Sequence, residues 1–312
     1  MARGLIKTVF AGTPDFAAPF LKALFQADNF EVAAVITQPD KPAGRRRELK
    51  KPPVKILAEE LGLPVYQPEK ISGASHLIRG IDLLVVAAYG QIIPKELLLL
   101  PKYGCVNVHA SLLPKYRGAS PIQAAILNGD SETGITIMKM GAGLDTGPIL
   151  GQNIVSIEAA ETTGTLFSKL VSAGLDVFVP ILEKYVRGEI MPEAQDDRRA
   201  SYVRTLKKSD GQIDWKKSAV DIERMVRAYS PWPGAFTKAD GKKFKISAAE
   251  IGILEPKNLM IPGEIFLING RLGVKCGQGA LVISKIQPEG KKEMAAEEFV
   301  NGHRWVTGKK FE

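Results

Sequence analysis

Within residues 105–150 lie three polar residues whose types and spacing suit acyl-group chemistry. An apolar run, Gly104-Cys105-Val106-Asn107-Val108-His109, delivers a carboxamide and an imidazole two residues apart. Side chains alternate along a strand, so Asn107 and His109 share one face while Val106 and Val108 share the other. A carboxamide NH2 can hold a developing oxyanion without changing its own protonation state. An imidazole titrates near neutrality and can donate or relay a proton. The third residue, Asp145, sits in the glycine loop 141–148, where an aspartate taken alone is more often a turn residue than a catalyst. The other histidines, His76 and His303, have no comparable company.

The elements that must position these residues read as an α/β unit. Residues 5–10 form a first strand, and Thr13 and Pro14 suit the N-cap and first position of a helix starting there. Residues 31–37 form a second strand, and the β-α-β spacing implies a right-handed crossover and a parallel sheet. A dinucleotide fingerprint needs three spaced glycines at the first turn; only Gly12 is present, so neither NAD nor flavin is expected. Gly12-Thr13-Pro14 reads equally well as a structural turn and as a helix start that receives an anionic or carbonyl group. Residues 54–63 have helical spacing with Gly62 as terminator, and 81–90 are near-continuously apolar, as in a strand buried on both faces. Tyr89-Gly90-Gln91 then falls at that strand's carboxyl end, the edge where open α/β sheets bind ligands. Pro121 opens a helix through Leu127, 133–140 form a strand, and 163–186 form a helix covering one sheet face.

At 312 residues, with 45% hydrophobic and 24% charged content, the chain has a globular composition and the length for two domains. No apolar run approaches the ~18–20 residues that span a bilayer, and the first residues pass directly into a strand pattern with no targeting segment. Two cysteines, Cys105 and Cys276, are too few for a disulfide framework or a zinc cluster, so a cytoplasmic protein without metal is expected. The net charge is +8, most of it after residue 189, which suits contact with a polyanion such as RNA. Residues 38–53, with Lys41, Arg45, Arg46, Arg47, Lys50 and Lys51 among prolines, read as an exposed, mobile loop bordering the ligand crevice.

Residues 190–208 are polar and aperiodic and read as a linker between domains at 1–189 and 209–312. Ser218 with Asp221 gives a capping-box-like helix start, with Ile222, Met225, Val226 and Tyr229 on one face. Five short strand-like runs follow between residues 234 and 288, which suggests a small barrel of the oligonucleotide-binding type. Trp215, Trp232, Phe244, Phe266 and Trp305 are expected in its core.

Three segments together are more specific than any one: Asn107-Val108-His109-Ala110-Ser111-Leu112-Leu113-Pro114, Arg117-Gly118-Ala119-Ser120-Pro121, and Leu144-Asp145-Thr146-Gly147-Pro148-Ile149. In these the chain resembles the formyltetrahydrofolate-dependent formyltransferases, and the resemblance covers essentially the whole sequence. Residues 10–24, 37–45 and 89–94 resemble the N-terminal half of the members that act on charged initiator tRNA, and Pro231-Trp232-Pro233-Gly234-Ala235-Phe236 their tRNA-binding barrel. The resemblance implies a Rossmann-like, mostly parallel α/β domain followed by an OB-fold-like barrel, and formyl transfer from 10-formyltetrahydrofolate to initiator methionyl-tRNA. It implies Asn107, His109 and Asp145 as the catalytic trio. Ser111, Leu112, Leu113 and Pro114, with Val86, Tyr89, Gly90, Gln91 and Ile92, would hold the folate. Lys41, Arg45, Arg46, Arg47, Lys50 and Lys51 would meet the tRNA, and Gly12, Thr13 and Pro14 its aminoacyl end. A monomer without membrane attachment is expected. Competing readings are a formyltransferase for a small amine, a formyltetrahydrofolate hydrolase and a non-catalytic RNA-binding protein. The basic insert and second domain favour tRNA over a small amine, and the presence of all three polar residues disfavours a non-catalytic scaffold.

Overall fold

The computed structural model describes residues 4–43, 48–252, 260–303 and 308–312. Its first elements are β1 (Ile6–Gly12), α1 (Ala18–Phe25), β2 (Phe30–Ile36), β3 (Lys41–Ala43), β4 (Glu48–Lys50), α2 (Pro53–Glu60) and β5 (Val65–Tyr66). Then come α3 (Ser75–Ile78), β6 (Leu83–Ala87), α4 (Lys95–Leu98), β7 (Cys105–His109), β8 (Arg117–Gly118) and α5 (Pro121–Asn128). They are followed by β9 (Glu132–Lys139), β10 (Ile149–Ser156) and the long α6 (Thr163–Val186).

Seven strands form one sheet in the order β10-β9-β7-β6-β1-β2-β5. The five from β7 to β5 are parallel, β9 alone runs opposite to them, and β10 pairs antiparallel with β9, so the Rossmann-like arrangement ends in antiparallel pairing. From β1 the chain moves outward through β2 to β5, then returns to lay β6 on the other side of β1. That reversal is a topological switch point at the carboxyl ends of β1 and β6, the usual ligand position in such sheets. Val9, Ala11, Ala34, Ile36, Leu84, Val86 and Cys105 join one core cluster with Ile71, Ala74 and Ile78. Elsewhere in this unit Phe20 of α1 meets Phe178 of α6 edge to face, with ring centroids 5.3 Å apart. Gly174 permits that approach, since a Cβ there would lie 2.7 Å from the Phe20 ring.

Two expectations change here. The first helix starts at Ala18, not at Pro14, because the Thr13 hydroxyl donates to the Tyr89 carbonyl (2.9 Å) instead of capping a helix. The basic insert contains an antiparallel pair, β3 with β4, while Arg45, Arg46 and Arg47 lie outside the described residues. By length and composition α6 is long and apolar enough to cross a membrane, although it is not a continuous apolar run. Lys169 and Asp176 interrupt the run in the sequence, yet Leu170, Phe178 and Leu182 along the helix are fully buried.

The chain forms two compact units. The first comprises Met1–Gly118, Glu132–Ser156 and Phe167–Val203; the second comprises Ala119–Ser131, Ile157–Leu166 and Arg204–Glu312. Part of the segment read as a linker is thus bound into the first unit, where Glu193 bridges to Ile149 and β11 (Tyr202–Val203) pairs with β8. Likewise α5 packs on α7 (Ala219–Ala228) in the second unit. The Ser218 hydroxyl caps α7 by accepting from the Asp221 amide (3.1 Å), as the capping pattern predicts.

The rest of the second unit is an antiparallel sheet of β12 (Ala235–Ala239), β13 (Lys242–Ile251), β14 (Ile265–Ile268), β15 (Arg271–Lys275) and β16 (Ala280–Pro288). Its order is β12-β13-β16-β15-β14, with β17 (Met294–Ala295) beside β16 and α8 (Ala296–Gly302) following. Residues 308–312 join the two edges. Phe311 N donates to Gly263 O next to β14, and Glu312 N donates to Lys238 O on β12, both at 2.8 Å. Closure in this way removes the open edges that an isolated sheet exposes. Phe311 stacks on Trp215 and meets Phe244 inside, each at 5.8 Å. Of the other expected core aromatics, Phe266 is half-buried, Trp232 is exposed and Trp305 lies outside the described residues.

Candidate active site

Strand β7 lies between β6 and β9, with Asn107 opposite Val86 and Met138 and His109 opposite Thr136. Both side chains are nearly buried, at 9% and 6% exposure. Among the described residues the Asn107 amide makes no hydrogen bond, so its NH2 is available to a ligand. Cys105 shares their face, but burial pushes its thiol up to about 12, which keeps it protonated and unfit as a nucleophile.

His109 is held from both sides. Its Nε2 lies 3.0 Å from Tyr116 O, and a carbonyl can only accept, so the hydrogen is on Nε2. Nδ1 is therefore the nitrogen left to exchange a proton, and it faces Asp145 Oδ2 at 3.7 Å, outside hydrogen-bonding distance. The Asp145 carboxylate is itself fixed by the Gly118 amide, which donates to Oδ2 at 2.8 Å. Only glycine suits position 118: its φ is 116°, and a Cβ would lie 2.1 Å from Val203 O. The structure thus brings His109 and Asp145 together, and it leaves the Asn107 amide unbonded two residues before His109 on the same strand face.

The loop after β7 is pinned to the antiparallel edge. Thr136 Oγ1 donates to Ser111 O (2.6 Å) and accepts from Leu113 N (3.1 Å), while Gln152 Nε2 donates to Leu113 O (3.0 Å) and to Thr136 Oγ1 (2.8 Å). Ser111 Oγ is spent on Lys115 O (2.7 Å), and Leu112 packs over Gly134. Ser111 and Leu113 are buried and the carbonyls of residues 111–114 are already bonded, which leaves the half-buried Leu112 and Pro114 side chains to meet a ligand.

At the carboxyl end of β6, Tyr89 O accepts from both Thr13 Oγ1 and Gln38 Nε2 at 2.9 Å, which ties the turn after β1 to this loop. Gly12 pairs with Ala87 in the register of β1 with β6. Gln91 spends its amide on Ile71 N and Glu69 O, while Ile92 stands 88% exposed. The Tyr89 ring is buried, its hydroxyl has no partner among the described residues, and burial pushes it up to about 12. Of the basic residues, Lys51 pairs with Glu59 at 2.6 Å, Lys41 donates to Gln38 Oε1 at 2.5 Å, and Lys50 is exposed.

Sequence reasoning missed Tyr116, Thr136, Gln152 and Gln195. The first acts through its carbonyl, which any residue carries; the others are ordinary polar residues on strands or in an aperiodic stretch. None leaves a periodic or compositional signal.

Residues 6–182 match the family model described as formyl transferase, and residues 205–304 match the formyl transferase C-terminal domain. A methionyl-tRNA formyltransferase from Methylococcus capsulatus is 44% identical over 302 residues, covering 96% of this chain and 97% of that protein. One from Caldanaerobacter subterraneus subsp. tengcongensis is 45% identical over 308 residues, covering 97% and 99%. Among solved structures, an N-formyltransferase from Helicobacter canadensis superposes with a TM-score of 0.67 at 20% identity, over 93% of this chain and 100% of that one. HypX from Aquifex aeolicus superposes with a TM-score of 0.64 at 14% identity, over 98% of this chain and 48% of its own length. These last two are likenesses of fold. With both family models matched and such identity along nearly its whole length, the chain belongs to the methionyl-tRNA formyltransferases of the formyl transferase family.

Proposed function

We propose that this chain transfers a formyl group from 10-formyltetrahydrofolate to the α-amino group of methionine esterified to initiator tRNA. The observation that carries the reading is its 44–45% identity to methionyl-tRNA formyltransferases over 96–97% of its length. The basic insert and the second unit favour tRNA over a small amine as acceptor. We assign catalysis to residues 1–189 and tRNA contact to the OB-fold-like region 209–312, with 190–208 joining them. The reading calls for no metal, NAD or flavin, and for a cytoplasmic monomer without membrane attachment.

The chain fits the folate on one feature: the unbonded, nearly buried amide of Asn107 on the strand that ends at His109. When bound, the folate supplies the formyl group on its N10. Val86, Tyr89, Gly90, Gln91 and Ile92 would hold it with Ser111, Leu112, Leu113 and Pro114. The Asn107 NH2 holds the formyl oxygen as negative charge gathers there. As the amine bonds to the formyl carbon and the C–N10 bond breaks, His109, fixed through Nε2, would donate at Nδ1 to the formyl oxygen or to the departing N10, while Asp145 would balance the ring's charge and take the proton of the attacking amine, directly or through water. Gly12, Thr13 and Pro14 border the aminoacyl end, and Lys41, Arg45, Arg46, Arg47, Lys50 and Lys51 meet the acceptor stem.

The test is formyl transfer to charged initiator tRNA, measured beside elongator methionyl-tRNA and free methionine. Rapid transfer to the initiator alone is expected. Transfer to none of them overturns the reading, and transfer to free methionine would favour the small-amine alternative.

A further inference from the structure

We infer that Gln195 and Arg117 are positioning residues that set the backbone of Asp145 and so the Asp145–His109 geometry. Asp145 has φ 51°, a left-handed conformation uncommon for a residue with a side chain and sustained only where its surroundings hold it. Gln195 Nε2 donates to two carbonyls of that loop, Asp145 O at 2.8 Å and Gly147 O at 2.7 Å. Gln195 Oε1 accepts from Arg117 Nε at 3.1 Å and from Arg117 Nη2 at 2.9 Å. Carbonyls only accept and a guanidinium only donates, so the amide can be oriented in one way and all four of its bonding sites are used.

Arg117 is 1% exposed and is held in turn by Asp197 Oδ1 (2.6 Å) and Tyr202 OH (3.0 Å). It immediately precedes Gly118, whose amide grips the Asp145 carboxylate. Asp145 is therefore fixed at both ends from one place, at the carboxylate by Gly118 and at the carbonyl through Gln195. Gly147 presses the same loop onto β9, since a Cβ there would lie 1.8 Å from Lys139 O. Neither Gln195 nor Arg117 bonds to His109 or Asn107, so their influence passes through Asp145.

The discriminating variant is Gln195→Glu. A carboxylate still pairs with Arg117, which preserves the fold, but it cannot donate to the Asp145 and Gly147 carbonyls. The kinetic arm rests on the formyl-transfer reading; a spectroscopic arm does not. Expected kinetics are a fall in kcat of up to ~10²-fold, as for a small misplacement of a reacting group, with KM for tRNA little changed. In an Asp145→Asn background the same substitution should change kcat less than about twofold, because residues acting as a unit are not additive. Losses that multiply would overturn the inference. In the spectroscopic arm, the His109 ring 15N resonances of Gln195→Glu should move toward those of Asp145→Asn. Resonances that stay at their wild-type positions overturn it too. Gln195→Met, which loses the bonds without adding charge, takes the same tests if the Glu variant fails to fold. Wild-type protein that shows no transfer while the resonances move as expected would sink the functional reading and leave the positioning role standing.

Discussion

Truncating Asn107 to alanine isolates the proposed oxyanion contact from everything else the residue does. The side chain is nearly buried and, among the described residues, has no hydrogen-bonding partner, so its removal orphans no protein donor or acceptor. Loss of a few packed atoms should lower stability by about 1 kcal/mol. Loss of one preorganised oxyanion donor, in contrast, lowers turnover on the order of 10²–10³-fold, or about 2.7–4 kcal/mol of transition-state stabilisation. The two effects are far enough apart to be read independently. Steady-state kcat and the folate dissociation constant would be measured beside the thermal unfolding midpoint. The expected pattern is a large fall in kcat, folate binding near wild type and a small change in midpoint. Asn107→Asp should be at least as damaging, since a carboxylate only accepts and places negative charge where more must gather. Near-normal turnover in Asn107→Ala would remove the residue from the oxyanion role. A kcat loss matched by an equal loss of folded protein would show that the effect on turnover is one of stability alone.

Neutralising Arg45, Arg46 and Arg47 together should raise KM for tRNA and flatten its salt dependence by up to ~0.9 per lost phosphate contact, if the acceptor stem behaves as a duplex; an unchanged slope would leave the insert a solvated connection. Phe311→Ala should destabilise the second unit by about 3–5 kcal/mol, because the ring is fully buried against Trp215 and Phe244 where residues 308–312 close the sheet. Equilibrium unfolding in urea would show it, and a loss under about 1 kcal/mol would mean that closure there is dispensable. The Asp210 carboxyl is lowered to about 2 by its hydrogen bonds to Arg204 and to the Lys207 amide. A depressed carboxylate adds stability above its ordinary value near ~3.9 and loses it as pH falls through about 2. Asp210→Asn should therefore flatten the acid side of the stability profile between those values, and an unaltered profile would show that the pair contributes nothing measurable.

Much of the fold was legible because its signals are local. The apolar run at β6, the alternation at β7 and the helical spacing of α2, α6 and α7 each report burial directly. What was missed depends on distant partners. Strand β10 mixes exposed and half-buried residues at the sheet edge and carries little hydrophobic signal. The start of α1 moved because Thr13 finds Tyr89 across the sheet edge, a competition no propensity contains. Asp145 reads as a turn residue by itself, and its φ of 51° shows that it is one; being a turn residue and facing His109 are compatible.

The tripeptide Tyr116-Arg117-Gly118 shows why the remainder stayed hidden. Tyr116 gives its carbonyl to His109, Arg117 gives its guanidinium to Gln195, and Gly118 gives its amide to Asp145. Two of those three contacts are made by main-chain atoms. Their direction is set by φ values of 60° at Tyr116 and 116° at Gly118 rather than by side-chain chemistry. The tripeptide is in turn held by residues far along the chain. Tyr116 N donates to Ser201 Oγ at 2.9 Å, Arg117 N donates to Ser201 O at 2.8 Å, and β8 pairs with β11. A stretch that reads as a linker therefore braces the candidate site from behind. Substitutions at Ser201 that disturb this support should reach His109 and Asp145 together, because both contacts originate within three consecutive residues.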